Sequence, residues 1–153
     1  MSKKVIKWSL VIIWMIVIFN FSSQVATVSD NKSLFVIELI KRMGIDLDSI
    51  LGSIANFIVR KAAHMTEYFV LYLLLFNALY EKYSFKKNCI VSLIIVFLYA
   101  CSDEFHQLFV QGREGRFRDV LIDTTGGGIG VLITYIVVTL QKNYLRKKKL
   151  LIK

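Results

Sequence analysis

His64 and Glu67 stand three residues apart, and so do Asp103 and His106. On a helix that spacing puts two side chains on one face. Each pair can therefore set a carboxylate behind an imidazole and make a general base of it. Basic residues flank both pairs: Arg60 and Lys61 before the first, Arg113, Arg116 and Arg118 after the second. A forked guanidinium is well suited to gripping phosphate or carboxylate groups. Two chemistries follow. One is acid–base catalysis by His64, Glu67, Asp103 and His106, in a hydrolysis or a transfer. The other is binding of an anionic headgroup by Arg60, Lys61, Glu104, Gln107, Arg113, Arg118, Asp119 and Asp123, with the carboxylates orienting the cations. A metal held by both histidines and a carboxylate is a third arrangement. Two histidines on separate helices are a short ligand count, and no HExxH motif or cysteine pair adds to it. No metal and no cofactor is assigned.

All these residues fall in three short stretches, 60–68, 103–107 and 113–123, of a very apolar chain. Of 153 residues 56% are hydrophobic, Pro is absent, and the formal net charge is +9. Long helices can run without interruption. The positive charge does not describe a nucleic-acid protein, because no basic face is interleaved with aromatics. It gathers instead at Lys3, Lys4 and Lys7, at Lys82, Lys86 and Lys87, and at Arg146 to Lys149, each cluster flanking an apolar run. That is the charge pattern of a membrane protein. Cys89 and Cys101 lie in one predicted helix about 18 Å apart along its axis, too far to pair.

Four spans account for the apolar runs, at about 5–25, 60–80, 90–110 and 120–140. The first could also be a cleaved signal peptide, but only a weak small-residue cleavage site follows it, and a retained anchor is the preferred reading. The second is informative. Its wholly apolar part, Phe69 to Phe76, is too short to cross, since about 20 residues are needed. The helix must begin near Arg60 and carry His64 and Glu67 below the surface. Between the first two spans, Leu47, Ile50, Leu51, Ile54, Phe57 and Ile58 follow helical spacing, with Asp46 placed to cap them. This predicts an amphipathic helix outside the cytoplasm, on the membrane surface or as a lid over the other helices. The expected fold is thus an all-α, integral membrane four-helix bundle in a single domain, 1–153. Positive-inside counting puts both termini of this multi-pass plasma-membrane protein in the cytoplasm. The start of span two, the end of span three and the start of span four then meet at one level on the outer side.

The polar residues also line up along single faces. At 100° per residue, Arg60, His64 and Glu67 form one stripe. Tyr99, Asp103, His106 and Gln107 form a second, with Glu104 standing off it. Asp119, Asp123, Gly126, Gly127 and Gly130 form a third, which contains a GxxxG step suited to close helix approach. Five cations (Arg60, Lys61, Arg113, Arg116, Arg118) match five carboxylates (Glu67, Asp103, Glu104, Asp119, Asp123). Ionisable groups in a membrane are functional by default. The plainer alternative is an ion-pair network that only fixes helix register. Tyr68 and Tyr99 read most simply as interfacial aromatics, and Gln107 as a helix-end hydrogen bonder.

Taken together, Arg60-Lys61-x-x-His64-x-x-Glu67-Tyr68, Asp103-Glu104-x-His106-Gln107-x-Phe109-x-x-Gly112-Arg113, Arg118-Asp119 and Asp123-x-x-Gly126 resemble the signature of the VanZ-like membrane proteins. Phe21-Ser22-Ser23-Gln24 fits as well, and the resemblance runs from about residue 8 to 140. The chain departs from that pattern at Val25 and Gln111, where members often have Pro, and at Asp123, where many have Asn. The family's namesake is linked to low-level resistance to the glycopeptide teicoplanin, and most members have no assigned reaction. The resemblance therefore implies a role in envelope lipid or polymer homeostasis, or in glycopeptide response. The expected partners are membrane lipids or lipid-linked envelope precursors, with no nucleic acid. A transporter is disfavoured by the lack of inverted repeats or broken helices.

Overall fold

The computed structural model describes residues 2–151. The side chains of Lys147 and Lys149, part of the C-terminal basic cluster, lie outside that description. Every element is helical: α1 (Lys3–Ser22), α2 (Ala26–Arg42), α3 (Leu47–Leu51), a single 3₁₀ turn (Gly52–Ile54), α4 (Ala55–Leu79), α5 (Phe85–Gln107) and α6 (Phe117–Leu151). Four of the helical runs are long and apolar enough to cross a membrane: Lys3–Ser22, Leu47–Leu79, Phe85–Gln107 and Phe117–Arg146.

The surface is organised as lipid would demand. Ile12, Ile13 and Ile16 of α1, Ile90, Ile94 and Leu98 of α5, and Leu132, Ile136 and Leu140 of α6 face outward and are exposed. Ser22, Asn88, Ser92, Asp103, Gln107 and Asp123 are turned inward and buried. In water this arrangement would waste apolar area that could be buried. In hydrocarbon it is the favourable one, because polar groups must find partners inside the bundle.

Helix α4 is the central element and packs against α1, α2, α5 and α6. Its buried stripe, Tyr68, Leu71, Tyr72 and Leu75, meets Val11 and Ile18 of α1, Val96 and Ala100 of α5 and Val120 of α6. Glycines set the approach of α6. A Cβ on Gly126 would run into the backbone carbonyl of Met65, and one on Gly130 into the Tyr72 ring. A Cβ on Gly127 would press on Val96 and Leu93 of α5 at 3.0 and 3.1 Å. The GxxxG step thus packs α6 on α4.

Interhelical hydrogen bonds hold the register. The Trp14 indole donates to the Glu67 carbonyl at 2.9 Å, and the Tyr99 hydroxyl to the Met15 carbonyl at 2.6 Å. Tyr68 is wholly buried in the core, so neither tyrosine is merely an interfacial aromatic. Near the far end of the bundle, Asn88 donates to the Phe76 carbonyl at 2.9 Å and Ser92 donates to Asn88 at 3.2 Å. Such bonds average only about 0.6 kcal/mol in membranes, because the unfolded chain in the bilayer also finds partners. Asn88→Leu should therefore lower stability by no more than about 1.7 kcal/mol, read as the shift of a denaturation midpoint in detergent.

The segment between α1 and α4 differs from expectation. The apolar spacing from Leu47 to Ile58 is not one amphipathic helix. Asp46 does cap its start, accepting from the Ser49 amide at 3.2 Å, but the helix stops after Leu51. Gly52 takes φ +59°, a left-handed conformation that glycine adopts without steric cost. Phe57 and Ile58 then belong to the first turn of α4. The preceding polar stretch forms α2, which turns Ser33 and Ile37 toward the bundle and leaves Leu34, Phe35 and Leu39 exposed. At the opposite end of the molecule an ion pair of 3.2 Å joins Lys7 to Glu81. It places the N-terminal basic cluster beside the α4–α5 turn that carries Lys82.

Candidate functional site

Antiparallel packing brings the end of α1, the start of α4, the end of α5 and the start of α6 to one end of the bundle. The loop 108–116 closes over them. Gly112, at φ +74°, turns the loop so that the Ala26 amide donates to the Gln111 carbonyl at 3.3 Å. Arg113 Nε donates to the Gln24 carbonyl at 3.1 Å. The start of α2 and the loop before α6 are thereby stitched together above the site.

The upper part of the site is basic. Arg60, Lys61, Arg113, Arg116 and Arg118 line a cleft of about 130 Å³ together with Phe57, Gln107 and Asp119. Lys61 and Arg118 lie over the Phe57 ring, 5.9 and 5.6 Å from its centroid. Lys61 Nζ is 2.7 Å from Asp119 Oδ2, and both side chains are largely buried. Arg60 is paired with Asp30 of α2, and Arg116 with Glu114. Arg113 is half-buried and, among the described residues, has no carboxylate within ion-pair distance. Burial, and then the neighbouring Arg60 guanidinium, pull its pKa below the ordinary 12.5. It keeps its charge nonetheless, because an arginine does not give up its proton in a protein.

This pairing departs from the one-to-one match of five cations with five carboxylates. Asp30 and Glu114 take two of the cations. Glu104 is satisfied by a backbone group instead, accepting from the Arg116 amide at 3.0 Å. Glu67, Asp103 and Asp123 are left with no lysine or arginine partner among the described residues.

Those three form the deeper layer with His64. His64, Asp103 and Asp123 are all buried, and one candidate ligand atom from each lies within 4.8 Å of the other two. Glu67 Oε2 is 3.6 Å from His64 Nδ1, beyond a hydrogen bond. Gln107 caps the group, donating to Ser22 Oγ at 3.0 Å and lying 3.5 Å from Asp103 Oδ2. A second cleft of about 200 Å³ reaches His64 and Glu67 from the α2 side and shares Arg60 with the first.

The two expected histidine–carboxylate pairs fare differently. His64 and Glu67 do face one space. His106 instead turns toward α1, with Nε2 3.1 Å from Ser23 Oγ and its ring 4.6 Å from that of Phe19. Glu104, expected off the stripe, is buried beside Asp103 and Gln107. The cause is a small rotation of α5. Its packed face runs Val96, Ala100, Asp103, Glu104 and Gln107, which leaves position 106 at the edge. Ser22, Ser23, Gln24 and Asp30 also belong to the site and were not among the expected site residues. The Ser22-Ser23-Gln24 step was the available signal. Asp30 offered none, since its partner is 30 residues away.

No curated protein and no solved structure matches this chain significantly. A sequence model of the VanZ/LLP1 family matches residues 7–138. That range covers all four long apolar helices' packed parts and every residue of the two layers. With the four helices of spanning length, it supports a multi-pass membrane protein. The chain belongs to the VanZ/LLP1 family.

Proposed function

We propose that this protein binds an anionic lipid-linked headgroup, a phosphate or pyrophosphate, at the outer face of the plasma membrane, in envelope lipid or polymer homeostasis or in glycopeptide response. The carrying observation is the cleft with five cationic side chains, among which Arg113 is half-buried and, among the described residues, has no carboxylate within ion-pair distance. Its volume of about 130 Å³ corresponds to about four waters. That is room for a phosphate group. Exposed Ile54, Phe109 and Phe117 near the rim offer apolar surface for the lipid tail. The outward orientation rests on the basic clusters at the other end, which positive-inside counting assigns to the cytoplasm together with both termini.

Arg113→Gln should weaken binding to vesicles containing phosphatidylglycerol or an undecaprenyl phosphate at least tenfold, the loss of a charge-assisted bond of about 1.5–3 kcal/mol. Arg113→Lys should keep part of the affinity, since the charge remains and the fork does not. Equal binding by wild type and Arg113→Gln, with the fold intact by circular dichroism, would overturn this reading.

A second reading is a membrane-embedded hydrolase or transferase on a lipid-linked substrate. It is favoured by His64 and Glu67 lining a cleft that shares Arg60 with the basic one. His64→Ala should then abolish turnover of a lipid pyrophosphate while vesicle binding persists.

A further inference from the structure

Below the basic cleft, headgroup binding leaves a set of groups without a task. His64, Asp103 and Asp123 come from three different helices and are 8%, 3% and 1% exposed. Both carboxylate oxygens of Asp123, Oδ1 of Asp103, Nδ1 of His64 and Oε2 of Glu67 are buried with no hydrogen-bond partner among the described residues. Lys61, a cation on the same helix as His64, is engaged by Asp119 at 2.7 Å. Unpaired carboxylates are among the costliest groups to bury, and neighbouring ones repel each other as well.

Two arrangements could relieve the cost: protons on the carboxylates, or a cation among them. Carboxylic acids sharing protons would hydrogen-bond to one another or to the imidazole, and among the described residues these atoms have no hydrogen-bond partner. Their spacing, within 4.8 Å, suits a bridging ion better. A tetrahedral cation about 2.0–2.2 Å from each ligand joins atoms about 3.3–3.6 Å apart, so side-chain rotations that bring the ligand atoms up to about 1.5 Å closer complete the site.

We infer that His64, Asp103 and Asp123 form a divalent-cation site that takes Zn²⁺ or Mn²⁺. One imidazole nitrogen with two carboxylates is a mixed donor set that suits these ions better than an all-oxygen set does. Glu67, 3.6 Å from His64 Nδ1 and not hydrogen-bonded to it, stands where it would orient the imidazole once the ring turns to a bound ion. Three protein ligands leave at least one position open, and the cleft lined by His64 gives a route to it. The inference stands independently of headgroup binding.

The test uses the full chain in detergent, purified without chelator and measured by elemental analysis. It is then stripped with EDTA and titrated with ZnCl₂ or MnCl₂, with calorimetry and thermal unfolding as readouts. About one equivalent of one of these ions per chain is expected, with a higher Tm for the loaded protein. Asp123→Asn and Asp103→Asn should each weaken binding more than tenfold, the range that loss of even an outer-shell partner produces. His106→Ala and Arg113→Gln should keep the metal, because neither residue is a ligand. Stripped Asp123→Asn should melt above stripped wild type, since it removes a buried charge, and the order should reverse when Zn²⁺ or Mn²⁺ is added. If wild type neither retains nor binds an equivalent of either ion, or if Asp123→Asn binds as tightly as wild type, the inference fails. The wild-type titration decides the matter even if a variant does not fold.

Discussion

Lys61→Met should destabilise the folded protein by about 3–5 kcal/mol, the usual cost of removing one partner from a buried ion pair. Lys61 Nζ lies 2.7 Å from Asp119 Oδ2, with the side chains 16% and 9% exposed. The other Asp119 oxygen, Oδ1, is buried without a hydrogen bond, and Arg118 Nε is 3.8 Å from it on a side chain that is 61% exposed. Removing Lys61 leaves Asp119 charged, buried and served only by that distant, solvated group. The pair itself contributes far less than its breakage costs, because both ions were desolvated to make it. The double variant Lys61→Met with Asp119→Asn should therefore recover most of the loss. Chemical unfolding of the four proteins in detergent closes the cycle. A single-variant loss below about 1 kcal/mol, typical of an exposed pair, would show that the site is wetter than its geometry implies.

Gly126→Ala should cost about 1–3 kcal/mol despite Ala's better helix propensity. The added methyl would collide with the Met65 carbonyl, a backbone atom that cannot rotate away. Relief requires α6 to move off α4, which would disturb Lys61–Asp119 and the His64–Asp123 approach across the same interface. Gly128, two residues on, faces open space. Gly128→Ala should have the opposite sign, a gain approaching about 1 kcal/mol from propensity alone. Thermal unfolding of the two variants side by side separates packing from helix propensity. If both changed stability in the same direction, the close approach of α4 and α6 through Gly126 would be wrong.

The two layers of the site differ in how they are balanced. Among the described residues, each acid near the mouth except Glu104 has a cation, and the spare cation is Arg113. In the deeper layer the excess is negative, with Glu67, Asp103 and Asp123 around a buried imidazole. An anionic headgroup above and a divalent cation below would each meet the charge it lacks. They would also lie close enough for one to influence the other, since Arg60 borders both clefts.

Much of this was legible in the residues alone. An apolar run too short to cross obliges its helix to begin well before Phe69 and to draw His64 and Glu67 inward; a start near Arg60 was expected, and α4 begins at Ala55. Alternating spans then bring stretches 60–68, 103–107 and 113–123 to a common end. The stripe Asp119, Asp123, Gly126, Gly127 and Gly130 follows from helical periodicity, and all five are buried. Periodicity gives relative angles within one helix. It does not give the rotation of that helix against its neighbours. The rotation of α5 is set by Val96 and Leu93 seating against Gly127, which turns Glu104 inward and leaves His106 to Ser23. Ion-pair partners were equally out of reach, because Arg60 pairs with an aspartate on α2, a helix whose mixed composition gave no clear stripe.

Residue types and local spacing thus determined the helices, their buried faces and the end of the bundle where the polar groups gather. Only the tertiary structure decided which carboxylates meet a cation and which are left facing His64. That choice depends on helix rotations and depths fixed jointly by glycine contacts and side-chain volumes across three interfaces.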